Sequence, residues 1–554
     1  MNCKRIVLIW GLLTLFLNIR QDVFSLAQSA GSEGCNATAV HDLGYTGQGV
    51  SIGLISLEHA RYTHEAFYDK DETGNPIGDS HVHWFDPTGA NLYEPYWHDT
   101  SMAGILAGRG GVNYPEYLGM APGAEIYSAK ITRSTSDTDP NRLVNWTWFQ
   151  KSLDFMHENN CRVTVTGVQF PASYDTDYFP LTMLYDYYAY AYDILFITAA
   201  GNGHSYITIF GTSYNSITTG GLVTTQTDLY RRVGTTSNPG PTTDSRQKPD
   251  ITAPAQNLWV PTSSSDHAWK NEGYNGETSW AGPHVAGVAA LLYECADNST
   301  EEADDGQSLV IKAVMINSAF PNILDKNGNS TTGQAWNAHR GYGRLDAMRA
   351  VTLLGQPKIQ PNDSTSRTGG WSYQNLPADT SHSYFVTDIP QGYRLVVTLT
   401  WKRRVVWKDK PGLGQGTIGS NELTSYFADL DLEVYDPNSR PMLAKLSESD
   451  NLEKADLLIC DAGDYEIRIV NQSSSELPNY SMAFELLPPL PGDFNTDAIV
   501  DTDDLTILSE WWLQTNCSGC SLIDLEPDGI INGMDLDIFT EYWLQTDLRY
   551  CPLP

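Results

Sequence analysis

A chain of 554 residues is too long for one compact core, since single cores rarely grow beyond roughly 250–300 residues, so several domains are expected. With 41% hydrophobic and 18% charged residues the composition is that of ordinary globular protein, which excludes wholesale disorder. The formal net charge of −33 argues against nucleic-acid binding, which needs basic surface to displace phosphate counterions; it suits carboxylate-rich calcium sites, and a solvated acidic surface accounts for much of the excess.

Lys4 and Arg5 precede the apolar run Ile6 to Leu17, and Ser25-Leu26-Ala27 offers small residues for cleavage before Gln28. This is the layout of a secretory signal peptide over residues 1–27, and the mature chain is expected to be secreted, extracellular or cell-surface associated. The run is shorter than the roughly 20 residues that cross a bilayer and no second one follows, so no membrane span is expected. Without Cys3 the cysteines are Cys35, Cys161, Cys295, Cys460, Cys517, Cys520 and Cys551, an odd number. At least one stays unpaired or pairs with another molecule if the rest form disulfides.

From Gly47 to about Gly355, short apolar strands such as Val50 to Ile55 and Ile194 to Thr198 alternate with helical patterns such as Val285 to Glu294, which predicts an α/β domain with a parallel sheet over 28–357. Three separated segments in it carry chemistry: Trp97-His98-Asp99-Thr100-Ser101-Met102-Ala103-Gly104, then Ala199-Ala200-Gly201-Asn202-Gly203, then Glu277-Thr278-Ser279-Trp280-Ala281-Gly282-Pro283-His284-Val285-Ala286-Gly287. Singly, each has a bland explanation: a buried histidine, a glycine turn, a helix cap. In this order they resemble the histidine, oxyanion and nucleophile motifs of the subtilisin family. Gly119-Met120-Ala121-Pro122-Gly123-Ala124, Lys248-Pro249-Asp250-Ile251-Thr252-Ala253-Pro254 and Gly341-Tyr342-Gly343-Arg344-Leu345-Asp346-Ala347 support the resemblance.

The resemblance implies a serine endopeptidase acting on protein or peptide substrates, with Ser279 as nucleophile, His98 as base and Asn202 as oxyanion donor. It also exposes a departure. The strand Gly49-Val50-Ser51-Ile52-Gly53-Leu54-Ile55 looks like the family's first triad strand, yet Ser56 stands where the family has Asp. That carboxylate fixes the imidazole tautomer and stabilises the imidazolium, and its loss costs roughly four orders of magnitude in turnover. Glu58 could swing in, Asp99 is the neighbour of the base, and Ser56 itself could hydrogen-bond the ring. If Glu58 or Asp99 serves, its amide should cost activity; if neither does, Ser56→Asp should raise turnover. Glu277 replaces a small Gly, Ser101 a second His, and Thr166-Gly167-Val168-Gln169 the family's substrate strand. Only about 20 residues lie between the predicted cleavage point and Gly47, too few for the family's inhibitory propeptide. The alternative is a catalytically inactive subtilisin fold with a binding or assembly role.

Residues 358–380 are rich in Pro, Ser, Thr, Asn and Gly and read as a linker. Beyond it Tyr393 to Trp401, Leu430 to Tyr435, Ala455 to Cys460 and Tyr465 to Val470 are predicted strands of an antiparallel β-sandwich over 381–487. It resembles the C-terminal jelly-roll of some alkaline subtilases, in which an acidic pair like Asp429 and Asp431 can bind calcium; solvated edge residues would look the same.

The segment Leu487-Pro488-Pro489-Leu490-Pro491 opens the last unit, 488–554, in which Asp504-Leu505-Thr506-Ile507 through Trp512-Leu513-Gln514-Thr515 recurs as Asp535-Leu536-Asp537-Ile538 through Trp543-Leu544-Gln545-Thr546. Asp493, Asn495, Asp497, Asp501 and Asp504 have the spacing with which alternate side chains wrap oxygen ligands around Ca²⁺, and Asp524, Glu526, Asp528, Asn532 and Asp535 repeat it. With an apolar helix after each loop, the pair resembles a type I dockerin and implies a small α-helical calcium-loop domain with a cohesin-like or cell-surface partner.

Overall fold

In the computed structural model the described residues are 26–89, 93–131, 146–168, 180–225, 229–299, 304–331, 334–408, 423–445, 447, 449–474, 476, 478–495, 500–515 and 523–543. The strand Ser51–Ser56 (β1) is buried from Ile52 onward because both of its edges and both of its faces are covered, the condition under which a strand reads as a continuous apolar run. It pairs in parallel with Glu125–Lys130 (β3) and with Cys161–Thr166 (β4), and Val82–Phe85 (β2) lies outside β3. On the other side β4 leads to Leu195–Ala199 (β5), then Ile217–Val223 (β6), which is flanked by Arg232–Val233 (β7) and Ile251–Pro254 (β8). The order β7-β6-β5-β4-β1-β3-β2, with β8 on β6, is parallel except at β7. This is the predicted α/β domain.

Leu26–Ala30 (α1) and Ala37–Asp42 (α2) precede the sheet; Trp97–Ala107 (α3), Trp146–Glu158 (α4), Pro180–Tyr192 (α5), Thr278–Asn298 (α6), Ser308–Asn317 (α7) and Ala347–Leu354 (α8) pack around it. Helix α6 is apolar nearly all round because it runs through the core. A Cβ on Gly287 would come within 2.4 Å of Met120, so the close packing of α6 needs a glycine there. Leu26, the second-last residue of the expected leader, is fully buried in the same core, and Ser29 hydroxyl meets His284 Nε2 at 2.9 Å. The remainder of the expected signal peptide, 1–25, lies outside the described residues. Among the described residues no helix is long and apolar enough to cross a membrane.

The expected linker is not one. Within 358–380 lie the strands Ser364–Thr365 (β9) and Gly369–Asn375 (β10), and Trp371, 1% exposed, joins the core of the α/β domain. Polar turn-forming composition hid a strand whose apolar content is concentrated in one tryptophan. Ser381–Ile389 (β11), Arg394–Trp401 (β12), Arg404–Trp407 (β13), Leu423–Tyr426 (β14), Leu430–Tyr435 (β15), Pro441–Lys445 (β16), Leu452–Leu458 (β17), Gly463–Asn471 (β18) and Asn479–Leu487 (β19) follow. They form antiparallel sheets ordered β10-β19-β12-β17 and β9-β11-β18-β15-β16, in which only β9 runs parallel to its neighbour, plus a β13-β14 hairpin.

These sheets are fastened to the α/β domain. Every residue of β12 is buried because α7 covers one face and the second sheet the other. Lys454 Nζ donates to the carbonyls of Ile316 (2.8 Å) and Asn317 (3.1 Å), placing a cation on the negative end of α7. Arg403 bonds the fully buried Asp186, and Trp407 of the hairpin packs edge-on against Tyr187 of α5. Asp431 is 3% exposed and takes a hydrogen bond from Gln472 (2.9 Å), so it is no solvated edge residue. Its neighbour Glu453 is pushed up to about 9 by burial.

Two further helices, Thr502–Glu510 (α9) and Gly533–Glu541 (α10), share a small core of Val500, Leu508, Ile523, Ile531 and Phe539. The two repeats are tied by Leu513 N–H to Ile531 carbonyl (2.8 Å) and the reverse bond from Ile531 N–H to Gln514 carbonyl (3.1 Å). Cys35, Cys161 and Cys295 are free thiols and Cys460 is disulfide-bonded; Cys517, Cys520 and Cys551 lie outside the described residues.

Candidate active site

The carboxyl ends of β1, β4 and β5 lie along one edge of the parallel sheet, where open α/β sheets carry their ligand sites. Each strand delivers one part: β1 ends at Ser56, β4 runs into Gly167, and β5 leads to Asn202. Helices α3 and α6 begin over the same edge and bring His98 and Ser279.

Helix α3 can enter the core because its inner face is small. A Cβ on Gly104 would stand 2.3 Å from the Pro261 ring, and Ser101 hydroxyl donates to Pro261 carbonyl at 2.8 Å, a structural use of the position where the family has its second histidine. The His98 ring clusters with two indoles, 5.6 Å from Trp97 and 5.0 Å from Trp280, centroid to centroid, with the indoles 6.1 Å from each other. Gly167 is what lets β4 approach: a Cβ there would meet Met102 Sδ at 2.4 Å and His98 Cε1 at 3.4 Å. From the sequence, Gly167 counts only as a departure and Trp280 attracts no attention, yet both touch the imidazole environment.

Ser279 is the second residue of α6 and is 6% exposed. Among the described residues its hydroxyl has no hydrogen-bond partner, His98 included. Pro283, four residues on, has no N–H to give the Ser279 carbonyl. Thr278 locks this turn to the oxyanion segment: its N–H donates to Asn202 Oδ1 at 2.8 Å, its hydroxyl to the same oxygen at 3.1 Å, and the hydroxyl accepts from Gly201 N–H at 3.1 Å. A backbone N–H can only donate, so the accepting atom of Asn202 is its oxygen and the Nδ2 group is its donor end. Glu277 caps α6 in extended geometry, and its carboxylate turns back to the N–H groups of Tyr274 (3.1 Å) and Asn275 (3.5 Å).

The three acids and hydroxyls raised by the sequence have different surroundings. Ser56 is fully buried at the end of β1, and its hydroxyl donates to Asp99 Oδ1. Asp99, also fully buried, accepts the Glu58 N–H on Oδ2 at 2.7 Å and faces His98 Nδ1 with Oδ1 at 3.5 Å. The Glu58 carboxylate turns away to Lys130, 3.4 Å from Nζ, and burial pushes it up to about 7. Lys130 also lies 3.3 Å from Glu94 and 3.9 Å from Asp86.

At the C-terminus, Asp504 and Asp535 are each the third residue of a helix and fully buried. Asp504 accepts the N–H groups of Phe494 (2.7 Å), Asn495 (3.1 Å) and Asp501 (3.0 Å); Asp535 accepts those of Glu526 (3.0 Å) and Asn532 (2.8 Å). Asp493 is 5% exposed, Asp524 Oδ2 accepts from Gly529, Asp528 Oδ1 accepts from Ile530, and Asp497 lies outside the described residues. Among the described residues no three His, Cys, Asp or Glu side chains converge as a metal shell.

A family model described as "Subtilase family" matches residues 47–343. Two curated proteins are each 27% identical: Bacillopeptidase F of Bacillus subtilis (strain 168) over 330 residues, and the subtilisin-like protease PopC of Myxococcus xanthus (strain DK1622) over 337 residues. Both alignments cover 56% of this chain but only 21% and 63% of the respective relative. Of solved structures, the prenylagaramide maturation protease PagA matches 57% of this chain and 98% of its own, at 17% identity and a TM-score of 0.43.

Proposed function

The chain belongs to the subtilase family, and on that premise we propose that it is a secreted serine endopeptidase acting on extracellular proteins. Ser279 attacks the peptide carbonyl, His98 takes the proton and returns it to the leaving amine, and Asn202 Nδ2 with the Ser279 N–H stabilises the oxyanion. The observation that carries the reading is the double tether from Thr278 to Asn202 Oδ1, which ties the oxyanion donor to the nucleophile turn. A fluorophosphonate probe tests it: native protein should be labelled and Ser279→Ala should not. Correctly folded protein that takes no label would mean a subtilase fold used for binding or assembly.

The same proposal extends to the C-terminal unit, which we read as a calcium-dependent, dockerin-like module for a cohesin-like or cell-surface partner. The all-oxygen donor set suits Ca²⁺, and Asp524 Oδ1 is buried without a hydrogen-bond partner, the kind of orphan a cation satisfies. Asp493, Asn495, Asp497, Asp501 and Asp504 would hold one ion and Asp524, Glu526, Asp528, Asn532 and Asp535 the other. Calorimetry on the full chain should find two calcium sites; none would end the assignment.

A further inference from the structure

An aspartate missing from the end of β1 leaves a hole in the family's relay, and the surroundings of that hole show how it is filled. Ser56 occupies the position, and its hydroxyl does not reach His98; it donates to a carboxylate supplied by another element. That carboxylate belongs to Asp99, one residue after the base and in the first turn of α3. Both of its oxygens are held, Oδ1 by Ser56 and Oδ2 by the Glu58 N–H, and Oδ1 faces His98 Nδ1. We infer that Asp99 is the positioning acid of this site, delivered from helix α3 instead of from β1, with Ser56 and the Glu58 N–H as the cradle that holds its carboxylate against His98.

The inference rests on the endopeptidase reading but makes its own demands. Two donors from the β1 end, a hydroxyl and a backbone N–H, fix the orientation of the Asp99 carboxyl and turn Oδ1 toward the imidazole. Serine at 56 is the right size for this arrangement: it is short enough to leave the space to Asp99 and still carries a donor. An aspartate at 56 would press a second carboxylate against Asp99 Oδ1, and two such groups cannot both ionise in contact. Glu58 is no competitor, because its carboxylate is engaged with Lys130. Asp99 Oδ1 stands 3.5 Å from His98 Nδ1, at the long end of hydrogen-bond reach, and catalytic hydrogen bonds of this kind tighten in the transition-state complex.

The test compares wild type, Asp99→Asn and Ser56→Asp for hydrolysis of a peptide ester, and records the imidazole Nδ1–H resonance of His98 by proton NMR. Asp99→Asn should lower kcat by roughly 10³- to 10⁴-fold with KM little changed, and Ser56→Asp should lower kcat too. The downfield Nδ1–H signal of the wild type should vanish in Asp99→Asn and persist in Asp99→Glu, which keeps the charge. A wild type without hydrolysis or labelling would refute the endopeptidase reading, while the resonance still reports on Asp99. Asp99→Asn with unchanged kcat, or with an unchanged Nδ1–H signal in an inactive protein, would overturn the inference.

Discussion

Among the described residues three helices carry an aspartate at their third residue, and all three carboxyls are fully buried: Asp99 in α3, Asp504 in α9 and Asp535 in α10. In the C-terminal pair the side chain turns back on its own loop. Asp504 and Asp535 complete capping boxes with Asp501 and Asn532, and their donors lie within ten residues. Asp99 does no such duty, since Tyr96 caps α3 without a side-chain bond and the donors to Asp99 are Ser56 and Glu58, 43 and 41 residues away. One residue type at one helical position therefore serves two ends: where its own loop satisfies it, it shapes that loop; where a distant segment satisfies it, one oxygen is left facing the His98 imidazole.

The comparison can be broken at several points. The largest effect expected is on Asp99→Asn, whose loss of kcat should come with an unfolding midpoint close to wild type. Asp504→Ala and Asp535→Ala should do the reverse. Each takes the acceptor from two or three backbone N–H groups of its own loop, at about 1 kcal/mol apiece, so limited proteolysis should cut the C-terminal unit while peptide-ester hydrolysis stays unchanged. Activity loss in Asp504→Ala would mean that the units are not separable in this way.

A smaller effect sharpens the role of the cradle. Ser56→Ala removes one of the two donors that hold Asp99, a bond of about 1 kcal/mol, and should lower kcat roughly fivefold or more while Asp99 stays in place. An unchanged kcat would show that the Glu58 N–H alone is enough. The smallest concerns Glu58, whose carboxyl sits against Lys130 with Glu94 and Asp99 nearby. Burial raises it to about 7, so between its ordinary 4.5 and 7 the folded protein keeps a proton that the unfolded chain has released. That part of the stability is complete below 4.5 and is lost as the pH rises through 7. Glu58→Gln should flatten the fall in melting temperature across this window; an identical slope would contradict the assignment.

Much of this was legible in the sequence because it is local. The strand Leu430 to Tyr435 and the helix around Val285 announce themselves by alternation and small-residue packing, and the segments bearing His98, Asn202 and Ser279 stand out by order. The linker failed because β10 has its burial in Trp371, which a polar composition conceals. The acid stayed ambiguous for a different reason. Ser56, Glu58 and Asp99 are all within plausible reach of His98 along the chain, and only the turn of the Glu58 side chain toward Lys130 and of Ser56 toward Asp99 separates them. Gly167 reads as drift and Trp280 passes unremarked because what brings each to His98 comes from another element.

An exchange of the two side chains puts the central claim to the most direct test. Asp99→Ser alone should lose turnover by roughly three orders of magnitude, and Ser56→Asp added to it should return a carboxylate to His98 from the strand side. The account predicts that the double variant Ser56→Asp/Asp99→Ser recovers at least about tenfold in kcat over Asp99→Ser, although Ser56→Asp alone is harmful. A folded double variant no faster than Asp99→Ser would contradict it.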